Sequence, residues 1–164
     1  MTGIERFTLA DRRIGHGDPA SALLADGPRE LRWGLLRPWR GHGGKRGPLI
    51  FGATLAEADA LPLLRDGRKQ RRCAVLADGV LGKASRWATP ARTVAFAGIW
   101  AEHPDDGIAS VALLEGDALG AVAELADRMP LVVDRDAWLA GSLVLDEAPW
   151  RIGSLANPAQ GSLF

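Results

Sequence analysis

The sequence predicts an α+β domain: a curled, barrel-like, mostly antiparallel sheet flanked by short helices. Short apolar runs of strand length outnumber segments with helix start signals, and the two do not alternate as a parallel strand-helix-strand fold requires. A length of 164 residues, 47% of them hydrophobic, fills one ordinary core and not obviously two, so a single domain over residues 1–164 is expected.

Residues 1–29 are poorly patterned and rich in Asp, Gly and Arg; they read as mostly loop with one helical turn at the apolar run Ala20 to Ala25. Leu31 to Leu36 alternates enough for a half-buried strand, which Pro38 ends because proline cannot donate to a ladder. Gly41 to Pro48 is a glycine-rich basic loop. Leu49-Ile50-Phe51 is a short strand candidate. Thr54 and Glu57 have capping-box spacing, so a helix starts there and runs towards Arg65, its regularity limited by Pro62.

The stretch Arg71 to Gly82 reads as a hairpin: a basic pair, the apolar run Cys73 to Leu76, the turn residues Asp78-Gly79 and a second apolar piece. A polar linker follows. Thr93 to Trp100 and Ser110 to Leu114 are buried strands around a turn at His103-Pro104-Asp105-Asp106-Gly107. Asp117 is placed to cap a helix over 118–126, and Pro130 to Val133 returns to strand. Asp134 caps a short helix carrying Trp138, and strands at Ser142 to Leu145 and Trp150 to Ile152 complete the chain.

Composition excludes several classes. No window approaches the roughly eighteen uninterrupted apolar residues of a membrane span, and the N-terminal residues lack a charged-then-apolar signal pattern, so a cytoplasmic protein is expected. One cysteine, Cys73, can form neither an internal disulfide nor a cysteine-rich zinc site, and its apolar neighbours suit core packing. His16, His42 and His103 share no ligand spacing and read as surface residues; neither metal nor cofactor is expected. Gly41 to Pro48 is not a phosphate loop, because Trp39 stands at the first glycine position and Arg46 where Ser or Thr would hold the metal.

Net charge is zero but unevenly spread: residues 1–92 hold 17 Lys and Arg against 9 Asp and Glu, and residues 93–164 hold 3 against 11. Clustered cations focus potential and release counterions from phosphates, so a polyanion-binding surface is one reading and a solvated face the other. Trp33, Trp100 and Trp138 lie in apolar runs and read as core.

Several blocks, in order, resemble one family. They are Arg32-Trp33-Gly34-Leu35-Leu36-Arg37-Pro38-Trp39, Arg71-Arg72-Cys73 with Ala77-Asp78-Gly79, and Phe96-Ala97-Gly98-Ile99-Trp100-Ala101-Glu102. Asp127-Arg128-Met129-Pro130 with Trp138-Leu139, and Asn157-Pro158, continue the series. Over residues 31–164 their order and spacing are similar to the SOS response-associated peptidase (SRAP) family, with residues 1–30 a divergent N-terminal segment. The resemblance implies a curled, barrel-like α+β domain that binds single-stranded DNA and captures abasic sites through an N-terminal cysteine.

That capture adds an N-terminal amine to the aldehyde of an abasic site and closes a ring with the neighbouring thiol. Here Thr2 stands where the family has cysteine, Phe51 where it has the asparagine of its Asn-Ala-Arg motif, Gly82 where it has a glutamate, and Ala126 where it has a histidine. None of these four matched positions offers the family's acid-base group. Were Met1 removed, Thr2 would present an amine beside a hydroxyl, a known nucleophile arrangement.

The resemblance also carries Trp39 to the DNA-binding surface and Arg128 to the floor of the site. Arg6, Arg68, Arg71 and Arg72 are the further candidates for nucleic acid. The expectation is a protein that has lost covalent capture and keeps non-covalent binding of single-stranded or abasic DNA, with a DNA-free interaction module on the same fold as the rival reading.

Overall fold

The computed structural model describes residues 3–37, 49–83 and 86–153. The N-terminal segment is sheet: β1 (Arg6–Leu9), β2 (Arg12–Ile14) and β3 (Pro19–Leu24) precede β4 (Gly27–Trp33). This corrects the loop and helical turn expected before Arg29. Ala20, Ala22 and Leu24 alternate with more exposed neighbours, and β3 gains hydrogen-bonded partners on both edges, which outweighs the modest strand preference of Ala and Leu.

β5 (Gly52–Thr54) leads into α1 (Leu55–Ala60) and α2 (Pro62–Gln70). The capping box forms as expected: the Thr54 hydroxyl accepts from the Glu57 backbone N–H at 3.2 Å, and Glu57 Oε1 accepts from Thr54 N–H at 3.0 Å. Pro62 ends the first helix and opens the second, where its missing donor costs nothing.

β6 (Arg72–Ala77), β7 (Gly79–Leu81), β8 (Trp87–Pro90), β9 (Val94–Glu102) and β10 (Ala109–Asp117) follow. β11 (Arg128–Pro130), β12 (Val132–Val133), α3 (Arg135–Ala140) and β13 (Trp150–Gly153) complete the described chain.

Five strands close on themselves in the order β10, β4, β3, β6, β9 and back to β10. Only the β4–β10 pair in this ring is parallel. β5 and β11 extend it beside β10, and β12 beside β9. The fold is therefore the barrel-like α+β arrangement expected, with a second sheet in the order β13, β8, β7, β1, β2 against it.

Period-two alternation divides the ring's side chains between two cores. Val75, Phe96, Val111 and Leu113 share one core with Phe7, Ile14 and Val80 of the second sheet. Ala74, Ala97, Ile99 and Leu114 face the other way, beneath Ala58 of α1, Leu64 of α2 and Trp138 of α3. Trp138 is anchored by its indole N–H, which donates to the Cys73 carbonyl at 2.9 Å.

The expected hairpin at Arg71 to Gly82 is not a hairpin. β6 pairs with β3 and β9, whereas β7 pairs with β1 and β8, so the chain changes sheets at Asp78-Gly79. Asp78 fixes the crossing by accepting from Thr8 Oγ1 at 2.6 Å and from Ala10 N–H at 2.8 Å.

Other boundaries also move. Leu35 and Ile50 make only an isolated bridge, as do Val133 and Leu145, in place of the strands expected at Leu49 to Phe51 and Ser142 to Leu145. Asp117 ends β10 rather than capping a helix, and a 3-10 turn over Gly120–Glu124 replaces the helix expected at 118–126. β8 lies within the stretch read as a linker. His103, expected at the surface, is buried, its Nδ1 accepting from Asp105 N–H at 3.2 Å.

Candidate functional site

A cavity of about 860 Å³ opens between the two sheets, lined among others by Gly3, Arg6, Arg13, His16, Phe51 and Glu115. One wall is aromatic. Gly34, at φ +131°, turns the chain out of β4 where a Cβ would stand 2.8 Å from the Phe51 ring, so only glycine permits that approach. The Phe51 carbonyl accepts from the Trp33 indole at 3.0 Å and from Leu113 N–H at 3.0 Å, which locks the residue against β10.

His16 stacks on Phe51 at 3.8 Å between centroids and 15° between planes, and meets Trp33 edge-on at 4.7 Å. The β2–β3 turn holds it there. Asp18 accepts from Gly15 N–H at 2.9 Å, while Gly17 and Trp33 donate to the Trp33 and Asp18 carbonyls respectively. Partial burial pushes the His16 pKa down, which favours the neutral ring.

The cavity is also lined by Glu115, near the end of β10, with a side chain only 16% exposed. A Cβ on Gly52 would stand 2.3 Å from its Oε1, and one on Gly3 2.9 Å from its Oε2, so two glycines make the slot in which this carboxyl lies. Arg128 Nη1 sits between Glu57 Oε1 at 3.7 Å and Glu115 Oε1 at 4.0 Å.

The two carboxyls respond differently. Burial pushes the Glu115 carboxyl above its ordinary range, opposed by Arg128 and reinforced by Glu57. Glu57 is held below its range first by the Thr54 backbone hydrogen bond, then by the Thr54 hydroxyl, with Arg128 assisting.

The sequence candidates separate into distinct places. Arg6 lines this cavity and Arg128 contacts the Glu115 that lines it. Arg68 and Arg72 line a smaller hollow beside α2 and α3, with Trp138 and Gly141. There Arg68 pairs with Asp59 at 3.0 Å, and Arg72 donates to the Arg68, Lys69 and Leu139 carbonyls at 2.7, 2.9 and 3.5 Å. Arg71 donates to the Trp100 and Leu63 carbonyls at 2.9 and 3.3 Å. Thr2, Trp39, His42 and Asn157-Pro158 lie outside the described residues.

Of the positions that the resemblance matches to the family's catalytic groups, Phe51 lines the cavity, whereas Gly82 and Ala126 are buried in packed structure. A Cβ on Gly82 would meet Leu125 Cβ and its carbonyl oxygen at 2.5 Å, so Leu125 fills the space of any side chain there. The cavity's carboxyls belong to Glu5, Asp18 and Glu115, of which Glu115 is the buried one, and its imidazole to His16. Sequence reasoning missed Glu115 and His16: Glu115 directly follows the apolar run of β10, a placement shared by many strand-end charges, and His16 lies in a turn.

The ring closed by a parallel β4–β10 seam, with a cavity between two sheets, defines a class of α+β barrel-like proteins rather than an activity. Residues 25–161 match the SOS response associated peptidase (SRAP) family. The chain belongs to that family. Two solved structures share the fold. A protein from Bacteroides thetaiotaomicron is 16% identical with a TM-score of 0.66, the alignment covering 87% of this chain and 77% of that one. A phage-related protein from Bordetella bronchiseptica is 19% identical with a TM-score of 0.63, covering 87% and 81%. No curated protein matches. Among the described residues no helix is long and apolar enough to cross a membrane.

Proposed function

We propose that this chain binds single-stranded DNA non-covalently through the cavity between the two sheets, without the cysteine-based abasic-site capture that the family resemblance implies. The observation that carries this reading is the state of the matched positions. Leu125 occupies the space beside Gly82, Ala126 is core, and Phe51 presents an aromatic face where the resemblance calls for an amide. Family membership associates the chain with the SOS response to DNA damage, and Arg6 and Arg13 at the cavity supply cations for a phosphate backbone.

An aromatic wall beside cations is the arrangement that holds single strands, because bases stack on rings and phosphates meet arginine. The test is gel retardation of single-stranded oligonucleotides across a salt series, with and without an abasic position. Retardation that weakens steeply with salt and leaves no heat-stable adduct supports the reading. A heat-stable adduct with abasic DNA overturns its non-covalent part and favours capture through the Thr2 amine. Absence of salt-sensitive retardation favours the interaction-module reading.

A further inference from the structure

We propose that the cavity receives an intact unpaired nucleobase bearing an exocyclic amine, stacked on His16 with the amine donating to the Glu115 carboxyl. The proposal rests on the DNA-binding reading above and names the part of the strand that enters. Two walls of different chemistry carry it. His16 already lies on Phe51 at 3.8 Å and 15°, and the residue is itself exposed, so a base laid on it extends an existing stack. Glu115 brings acceptor oxygens into the same cavity from the glycine slot formed by Gly3 and Gly52.

The donor pattern selects the base. Adenine, cytosine and guanine each present an amino group on the edge used for pairing, and a carboxyl oxygen accepts from it in either protonation state. Thymine has no amine: its single N–H lies between two carbonyl oxygens, which repel a carboxylate. The selection against thymine belongs to the ionised carboxyl, since a protonated one can donate to a thymine carbonyl; burial favours the protonated form, so the discrimination strengthens as pH rises above the raised Glu115 pKa.

Charged groups around Glu115 fit the same picture. Arg128 and Glu57 lie against it from β11 and α1, while Arg6, Arg13, Glu5, His16 and Asp18 share the cavity. Asp18 is engaged by Gly15 N–H, and the arginines offset the repulsion between carboxylates and the strand's phosphates. A volume of about 860 Å³ falls within the range of small-molecule sites and accommodates a nucleotide.

The test measures fluorescence anisotropy of labelled oligothymidine whose central position is dC, dA, dG, dT or base-free, at fixed low salt. Each amine-bearing base is expected to bind at least about five-fold tighter than dT, the lower end of discrimination by a well-made hydrogen-bonded contact. Glu115→Leu brings that ratio to one while the oligonucleotides remain bound. Glu115→Gln narrows it, because the amide adds a donor that thymine can use.

Equal affinities in the unsubstituted protein, tightest binding of the base-free strand, or a ratio that survives Glu115→Leu overturns the inference and leaves DNA binding standing. No binding by any strand overturns both.

Discussion

Substitution of Gly82 tests whether the position that the resemblance matches to a glutamate has room for any side chain. A Cβ there lies 2.5 Å from Leu125 Cβ and from its carbonyl oxygen, and 2.8 Å from its carbonyl carbon. The obstacle is backbone, and that backbone is tied down, since Lys83 N–H donates to the Leu125 carbonyl at 2.8 Å and Leu125 is itself buried. No end of a flexible side chain can swing aside. Overpacking of this kind costs about 1–3 kcal/mol, so Gly82→Ala is expected to destabilise by roughly 2 kcal/mol. At this chain length that corresponds to a melting temperature lower by about 4–8 °C. Gly82→Glu costs more, because it also places an ionisable group against apolar neighbours. Urea and thermal unfolding followed by tryptophan fluorescence measure both. A Gly82→Ala protein with the melting temperature and urea midpoint of the parent would falsify the contact argument, and with it the claim that the position is closed to a carboxylate.

Arg72→Ala is expected to lower stability by about 1.5–3 kcal/mol through loss of its hydrogen bonds to three carbonyls, while leaving the salt slope of DNA binding unchanged. Arg6→Ala, in contrast, is expected to weaken binding across sequences and reduce the slope by about 1, with little change in melting temperature; an Arg72 effect on the slope would contradict this division. Burial raises the Glu115 pKa, so its proton is held more tightly in the folded state: the stabilisation is complete below the unfolded pKa and lost as pH rises through the folded one. Glu115→Gln should therefore raise the melting temperature at neutral pH, with a gain that shrinks as pH falls through the carboxylate range; a pH-independent difference is inconsistent with the raised pKa. Cys73 is fully buried and its thiol pKa is pushed far up, so a disulfide reagent should label it only as fast as the protein unfolds, and rapid labelling in native buffer would refute that placement.

Elements defined by local chemistry were legible in the sequence. The Thr54–Glu57 capping box, the Asp134 cap, the strands around Phe96 and Val111 and the burial of Cys73 each follow from a turn residue, a cap or an apolar run. What escaped depends on distant pairing. β3 is made mostly of Ala, Ser and Leu, which prefer no strand by themselves; β4 on one edge and β6 on the other impose it. The sequence at Asp78-Gly79 has hairpin turn chemistry, yet the Asp78 carboxylate is used to tie down β1 across 70 residues, and the strands on either side join different sheets. Of the residues singled out, Arg6 and Arg128 as cations and Phe51 as a position without the family's amide lie in or against the cavity, whereas Arg71 and Arg72 read as exposed cations but bond to carbonyls.

The ring fixes the fold with little demand on the residues at its mouth. Closure through β4, β3, β6, β9 and β10 buries the core through alternation along each strand and requires no polar group at the mouth. Side chains at the ends of strands are therefore exchangeable as long as the backbone leaves them room. Glycines set that room at both positions, with opposite results. Beside Gly82 the space is taken by the Leu125 backbone, whereas beside Gly52 and Gly3 it is taken by the carboxyl of Glu115. The carboxyl that resemblance places on the strand after Asp78 is thus absent there, and another enters the cavity from β10 beside an aromatic wall. A difference of that kind bears on what the cavity can accept in hydrogen-bonding terms and not on which strands pair, so the fold by itself does not fix the chemistry of the cavity.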